Sequence, residues 1–140
     1  MALLFSVAGC SMEKEWTHLS DITTSDCLMY TDMLAAKDMA TDSIGVLLGD
    51  GSLTVTHYNM MLDCETGDNI TTTMQMIGDT ITVTENVGEQ GLTDCVCLYN
   101  NSFQIVDVPW SRFTLVIKEE CSYMGNIEQR IVYQHTFTNK

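Results

Sequence analysis

Cysteines are the residues of this chain whose type and spacing point most directly to chemistry. Cys95 and Cys97 are two positions apart, so on a β-strand both side chains project from one face. A bond between them would need a distorted backbone, and we therefore expect each to pair elsewhere. Cys64 is the first candidate partner for either one, and Cys27 or Cys121 is left for the other. Five thiols are an odd number, so at least one stays unpaired or pairs with another molecule.

A metal site is the alternative use of the same thiols. Cys64, Cys95 and Cys97 together with His57 would supply the four ligands of a zinc ion. The C-x-C spacing is tighter than the spacing usual in zinc sites, and an oxidising compartment favours disulfides over thiolates. We therefore predict structural disulfides, with no metal ion and no other cofactor.

Other side chains could form two further metal sites, one for copper(I) and one for Ca²⁺. Methionine thioethers suit copper(I), but methionine also fills irregular gaps in protein cores. Carboxylate and amide oxygens suit Ca²⁺, but acidic turns are common in so acidic a chain. The residues concerned are Met60, Met61, Met74 and Met76 for copper, and Asp63, Glu65, Asp68 and Asn69 for calcium.

No pattern in the chain predicts a catalytic residue. The sequence contains no G-x-S-x-G, H-E-x-x-H or P-loop motif. Of the three histidines, His18 precedes the strand pattern, while His57 and His135 fall on apolar strand faces. Such histidines are expected to be hydrogen-bonded inside the core or at its rim.

The elements that position these residues are β-strands. From residue 43 onward apolar and polar side chains alternate, and threonine occupies many polar positions, as its branched side chain favours in a strand. Turn signals rich in glycine, aspartate and asparagine separate the runs. We predict an all-β fold over residues 43–140: an antiparallel, immunoglobulin-like β-sandwich of six to eight strands. The inward positions are Leu53, Val55 and His57; Ile70, Thr72, Met74 and Met76; Ile81 and Val83; Phe113, Leu115 and Ile117; and Ile131, Tyr133, His135 and Phe137.

The N-terminus reads as an export signal. A short apolar run ends in Val7-Ala8-Gly9-Cys10, which closely resembles the lipobox of bacterial lipoproteins. The resemblance implies that residues 1–9 are a signal peptide and that Cys10 carries the lipid. No lysine or arginine precedes the run, so the chain departs from that pattern in lacking a basic n-region, and we expect the true start codon to lie upstream.

Residues 10–42 are predicted to be a lipid-anchored tether, because they are polar and mixed in character. A short helix is expected within this tether from Asp26 to Ala40, since Ser25 or Asp26 can cap its first turn. Its apolar positions, at helical spacing, are Met29, Met33 and Ala36.

A longer resemblance covers residues 43–118. The stretch Asp94-Cys95-Val96-Cys97-Leu98-Tyr99-Asn100, followed by a strand, a turn and a further strand, resembles small secreted β-sandwich lipoproteins of the Bacteroidales type. Asn100 stands where that pattern has aspartate, and Cys64-Glu65 stands where it often has two cysteines. The resemblance implies fold and location, and it implies no activity.

Charge narrows the partners of the domain. The 140 residues carry 6 lysines and arginines against 19 aspartates and glutamates, a net charge of −13, which argues against nucleic-acid binding. We expect a lipid-anchored protein of the bacterial envelope, located in the outer membrane or on the cell surface. It would bind a glycan or an envelope protein and perform no catalysis. It would meet the membrane through its N-terminal lipid. The alternative is a small loop-based hydrolase or enzyme inhibitor at the cell surface.

Overall fold

The structure is a computed structural model that describes residues 16–32, 41–66, 69–109 and 111–138. These residues form an all-β sandwich, which confirms the predicted fold class. Within the described ranges, no helix is long and apolar enough to cross a bilayer. The strands are β1 (His18–Thr24), β2 (Met29–Asp32), β3 (Ser43–Leu48), β4 (Ser52–Asp63), β5 (Thr71–Ile77), β6 (Thr80–Gln90), β7 (Cys95–Val106), β8 (Arg112–Tyr123) and β9 (Asn126–Thr138).

Two sheets face each other. The first has the order β1-β7-β4-β3. Strands β1 and β2 pair with the same edge of β7: β2 with its first half and β1 with its second half. The second has the order β5-β6-β8-β9. Its central pair, β6 and β8, is parallel, which corrects the expectation of a purely antiparallel fold. Strand β7 lies between β6 and β8 in the chain and runs in the reverse direction through the first sheet. The chain therefore returns to the second sheet as β8 in the same direction as β6.

The core lies between the sheets and follows the period-two pattern. The predicted inward residues of β4, β6 and β8 are buried, which confirms those three alternations. Phe103 and Ile105 of β7 complete the layer. The main cluster consists of Leu53, Val55, Ile81, Val83, Phe103, Ile105, Phe113, Leu115 and Ile117.

Strand β9 departs from the predicted alternation. Ile117 pairs with Tyr133, but Lys118 pairs with Ile131, so Val132 is an extra residue in β9. Such a bulge shifts the alternation between the two faces. Tyr133 therefore packs against the core, while the side chain of Ile131 is 58% exposed.

Residues 18–24 were expected to belong to a tether and residues 29–32 to a helix, but the structure shows otherwise. Both segments are strands on β7, so the tether is wrong for β1 and the helix is wrong for β2. A bulge between Ser20 and Thr23 interrupts the alternation of β1, with Asp21 at a positive φ of 52°. These strands each lie at a sheet edge, where one-sided burial needs only a thin apolar face. The rest of the predicted helix, 33–40, lies outside the described residues.

The sandwich has two distinct ends. At the Trp16 end lie the turns 49–51 and 78–79 and the loop residues 107–109, because Ser52 pairs with Val106 and Thr80 with Thr114. At the opposite, cysteine end lie the loops after β4, β6 and β8. A second apolar cluster fills the interior there; it comprises Met60, Leu62, Val87, Cys97 and Tyr99, with Cys27, Cys64, Ile70, Cys95 and Cys121 packed against it.

Candidate functional site

A chain of polar side chains crosses the core between the two sheets, with His57 at its centre. The alternation of β4 turns His57 inward, and its side chain is fully buried. Nδ1 lies 2.7 Å from Oε1 of Glu85, and Nε2 lies 2.8 Å from Oδ2 of Asp42. Because carboxylates only accept hydrogen bonds, both ring nitrogens must carry protons for both bonds to form. The two contacts therefore favour the charged imidazolium form of His57, in agreement with its raised pKa.

Glu85 joins His57 to the opposite side of the core. This residue of β6 is fully buried, and its second oxygen accepts a hydrogen bond of 2.8 Å from Nδ2 of Asn101 on β7. The same Asn101 nitrogen donates to Oγ1 of Thr72 at 3.0 Å, and Oδ1 of Asn101 accepts from Thr24 at 2.9 Å. The network thus joins strands of both sheets and satisfies each buried polar group that it contains.

Asp42 carries the network to the surface. Its Oδ2 also accepts from Nη2 of Arg130 at 2.9 Å, and Arg130 bridges onward to Glu119. Burial raises the pKa of Asp42, but the hydrogen bonds from His57 and Arg130 outweigh it and hold that pKa below its usual value. For His57 the effects have the opposite signs. Burial lowers its pKa, but the hydrogen bond and charge of Glu85 and the hydrogen bond of Asp42 outweigh burial, so the pKa of His57 is raised.

This arrangement is suited to holding the sheets together rather than to catalysis. An imidazolium with both protons held by carboxylates has no lone pair with which to act as a general base. Both hydrogen bonds of His57 go to carboxylates, so it activates no hydroxyl or thiol nucleophile. As the sequence indicated, His57 is a hydrogen-bonded core histidine. The other two histidines of the chain, His18 and His135, are both exposed.

The cysteines form two disulfides at the cysteine end. Cys64 bonds to Cys95, one of the two pairings that the sequence left open, and their Cα atoms are 5.4 Å apart. Cys27 bonds to Cys97 with Cα atoms 5.5 Å apart, and it ties the segment just before β2 to β7. Cys121 is a half-buried free thiol. Burial, then the charges of Glu119 and Glu128, raise its pKa and keep it protonated. Cys10, the predicted lipidation site, lies outside the described residues.

The sequence also offered three alternative ligand sets, for zinc, copper and calcium. Zinc by the proposed set is excluded in the oxidised chain, because its three cysteines are in disulfides and His57 serves the buried network. The four methionines are not brought together: Met60 is buried at the cysteine end, whereas Met76 lines a groove at the Trp16 end. In the calcium set, Asp63 is buried and accepts from the backbone of Leu92, and Asp68 lies outside the described residues.

Sequence reasoning missed Glu85 and Asn101, although the pattern contained the signal. Glu85 follows Ile81 and Val83 at even spacing, and Asn101 precedes Phe103 and Ile105 at the same spacing. Each therefore falls on the inward face of its strand. Three polar residues at inward positions, counting His57, indicate a buried network, because lone buried charges are costly.

An open groove with a volume of about 900 Å³ lies at the Trp16 end of the sandwich. Trp16, 69% exposed, Met76 and Pro109 give it apolar walls, and Asp50 and Asp107 add carboxylates. Asp107 has a positive φ of 61°. Its carbonyl accepts a hydrogen bond of 2.6 Å from Thr17, and the next amide donates to Gly51 at 3.2 Å. These bonds fix the backbone that presents the groove.

Comparison with known proteins returns no relative. No protein-family model, curated protein or solved structure matches the chain.

Proposed function

We propose that this protein is a lipid-anchored module of the bacterial cell envelope that binds a glycan or another envelope protein and performs no catalysis. The observation that carries the proposed location is the pair of disulfides, Cys27–Cys97 and Cys64–Cys95. Disulfides persist in oxidising compartments and are rare in the cytosol. The lipobox-like sequence ending at Cys10 agrees with export and supplies the anchor.

The absence of catalysis is supported by the placement of the one buried histidine. A hydrolase built on a histidine and a carboxylate needs both within reach of substrate. His57 has the carboxylates, but its side chain is fully buried and both nitrogens are engaged. The alternative of a small loop-based hydrolase therefore lacks support from this histidine.

A binding role is supported by the groove at the Trp16 end. Its exposed indole offers a flat apolar face, and the carboxylates of Asp50 and Asp107 accept hydrogen bonds from hydroxyl or amide groups. Ligand sites commonly combine apolar walls with a few polar groups in this way. Two carboxylates in the groove disfavour phosphorylated or sulfated ligands.

Anchoring is tested by expressing the chain, with a basic n-region added before Met1 to complete the signal, in a Gram-negative host that exports lipoproteins. The wild type should enter the detergent phase on phase separation, and Cys10→Ala should remain in the aqueous phase. Cys121→Ala is the matched control, because it removes a thiol without touching the signal, and it should behave as wild type. Membrane-bound Cys10→Ala, still cleaved before residue 10, would contradict the anchor.

Binding is tested by capture of the full-length protein on immobilised envelope polysaccharide and on envelope protein extract. Trp16→Ala should reduce capture by removing the indole face. Leu92→Ala is the matched control: Leu92 is 70% exposed but lies at the opposite end. Equal capture of the wild type and Trp16→Ala would remove the groove from the proposal.

A further inference from the structure

Three cysteine sulfurs lie close together at the cysteine end, and a fourth is bonded to one of them. The Sγ atoms of Cys64, Cys95 and Cys97 all lie within 4.8 Å of one another. Cys27 is bonded to Cys97, so its sulfur adjoins the same group. We propose that the reduced chain, before its disulfides form, binds one Zn²⁺ through the thiolates of these four cysteines.

The spacing of the sulfurs suits this ion. Tetrahedral zinc with Zn–S bonds of 2.3 Å places neighbouring sulfurs about 3.8 Å apart. That separation falls inside the 4.8 Å that encloses the three sulfurs of Cys64, Cys95 and Cys97. A disulfide holds its sulfurs about 2 Å apart, so passing from two disulfides to one zinc site needs shifts of roughly 2 Å. Side-chain rotation supplies such shifts without moving a strand.

The backbone around these cysteines is held without the disulfides. The amide of Cys64 donates to the carbonyl of Cys95 at 3.0 Å, and the hydroxyl of Tyr99 donates to the carbonyl of Cys64 at 2.6 Å. The amide of Cys95 donates to Oγ1 of Thr93 at 3.2 Å. Cys97 is paired in the sheet with Leu62 of β4, one of the long central strands. Reduction therefore leaves three of the four ligands positioned by the fold.

An open depression of about 350 Å³ adjoins Cys95 and is lined by Tyr30, Thr31, Asp32 and Asp94. Its two carboxylates attract a divalent cation toward the thiolates. A metal site needs ligands of the correct kind and number, and also a path of access.

Cys121 is not one of the ligands. It lies on β8 in the opposite sheet, and it is neither in the group of three close sulfurs nor bonded to a member of that group. Its raised pKa disfavours the thiolate that zinc requires.

The chemistry balances with an external reductant. Opening the two disulfides takes four electrons and four protons and yields four thiols. Two dithiols supply both, whereas two phosphines supply the electrons and become oxides, with two water molecules giving the oxygen atoms and the protons. Zinc binding then releases up to four protons as the thiols become thiolates. Oxidation after export reverses the process: four electrons pass to an oxidant, two disulfides form and Zn²⁺ leaves.

The test uses the full chain carrying Cys10→Ser, so that lipidation does not affect the result, kept in a phosphine reductant. We expect one zinc per chain after gel filtration, and cadmium should replace it with the ultraviolet thiolate-to-metal absorption of four thiolates. Cys121→Ser is the matched control and should retain the metal. The double variant Cys95→Ser/Cys97→Ser should lose more than about 100-fold in affinity, beyond the usual effect of losing an outer-shell partner.

Circular dichroism measures zinc-dependent folding if the reduced chain loses structure. Zinc should then restore the strand spectrum of the wild type and leave that of the double variant unchanged. Failure of the reduced wild type to retain zinc, or equal zinc affinity in the double variant, would overturn the proposal. Neither outcome bears on anchoring or on ligand binding at the Trp16 end.

Discussion

Replacing Glu85 by leucine should strongly destabilise the protein. The change leaves Nδ1 of His57 without an acceptor and removes one acceptor from Asn101, at a position where both side chains are fully buried. Breaking a buried ion pair by removing one partner costs about 3–5 kcal/mol. For a chain of this size that corresponds to a fall in Tm of roughly 10–20 °C. The free energy of unfolding is measured by urea titration at neutral pH with the disulfides intact.

Two further variants make this test specific. Glu89→Leu, on the same strand but exposed, should change the free energy of unfolding by no more than about 0.5 kcal/mol. The double variant His57→Leu/Glu85→Leu replaces the buried pair with apolar side chains, which is often neutral or stabilising. It still leaves Asp42 paired with Arg130. The double variant should therefore be more stable than the sum of the single changes predicts, by about 1 kcal/mol or more.

A loss of less than about 1 kcal/mol in Glu85→Leu would contradict this prediction, because a charged His57 could not then depend on that carboxylate. A double variant as unstable as the sum of its parts would contradict it too, because the two residues would then act independently.

Three other predictions concern pH, redox state and charge. The pKa of His57 is raised above its usual 6.5, so its stabilising charge is complete below pH 6.5 and is lost as the pH rises through the folded-state pKa. The free energy of unfolding of the wild type should decline above pH 6.5, while that of His57→Gln should stay nearly level; a decline of equal slope in both proteins would contradict this. Cys64→Ser/Cys95→Ser opens a bridge between residues 31 positions apart, so it should cost up to about 3.7 kcal/mol under oxidising conditions and nothing in reductant; a difference that persists in reductant would refute the entropic account. With a net charge of −13, the protein should have its solubility minimum in acid, and a minimum at neutral pH would contradict the charge argument.

The central strands of the sandwich were predictable because each buries one whole face. In β4, Leu53, Val55 and His57 alternate with threonine and tyrosine, and the structure buries all three. A shift of one residue would turn that face to solvent, so the pattern specifies both the strand and its orientation. The same reasoning held for β6 and β8.

The outer strands were less predictable because neighbours, rather than local pattern, determine them. A bulge interrupts the alternation of β1, and β2 has four residues, of which three are exposed. Both strands form because β7 offers an unpaired edge, a non-local feature that no window of sequence displays. In β9 the bulge at Val132 shifts the alternation, which is why Ile131 was assigned to the wrong face.

The buried network shows the same division between pattern and partner. The inward positions of His57, Glu85 and Asn101 can be deduced from strand periodicity alone. Their mutual contacts depend on β6 packing across from β4 and β7, which is a property of the sheet order. The contact between Asp42 and Arg130 could be predicted neither from strand periodicity nor from the sheet order. The two residues are 88 positions apart and meet where the edge of the first sheet approaches β9.

The two disulfides stabilise different parts of the fold. Cys64–Cys95 joins strands that already pair along most of their length, since β4 and β7 match from Ser52 to Asp63. Cys27–Cys97 instead retains a short edge strand that has only four paired residues. Four pairs at an edge provide little independent stability, so the covalent bond to Cys97 supplies what β2 lacks. This dependence also explains why local sequence favoured a helix there: the strand is specified by a cysteine partner 70 positions away rather than by its own residues.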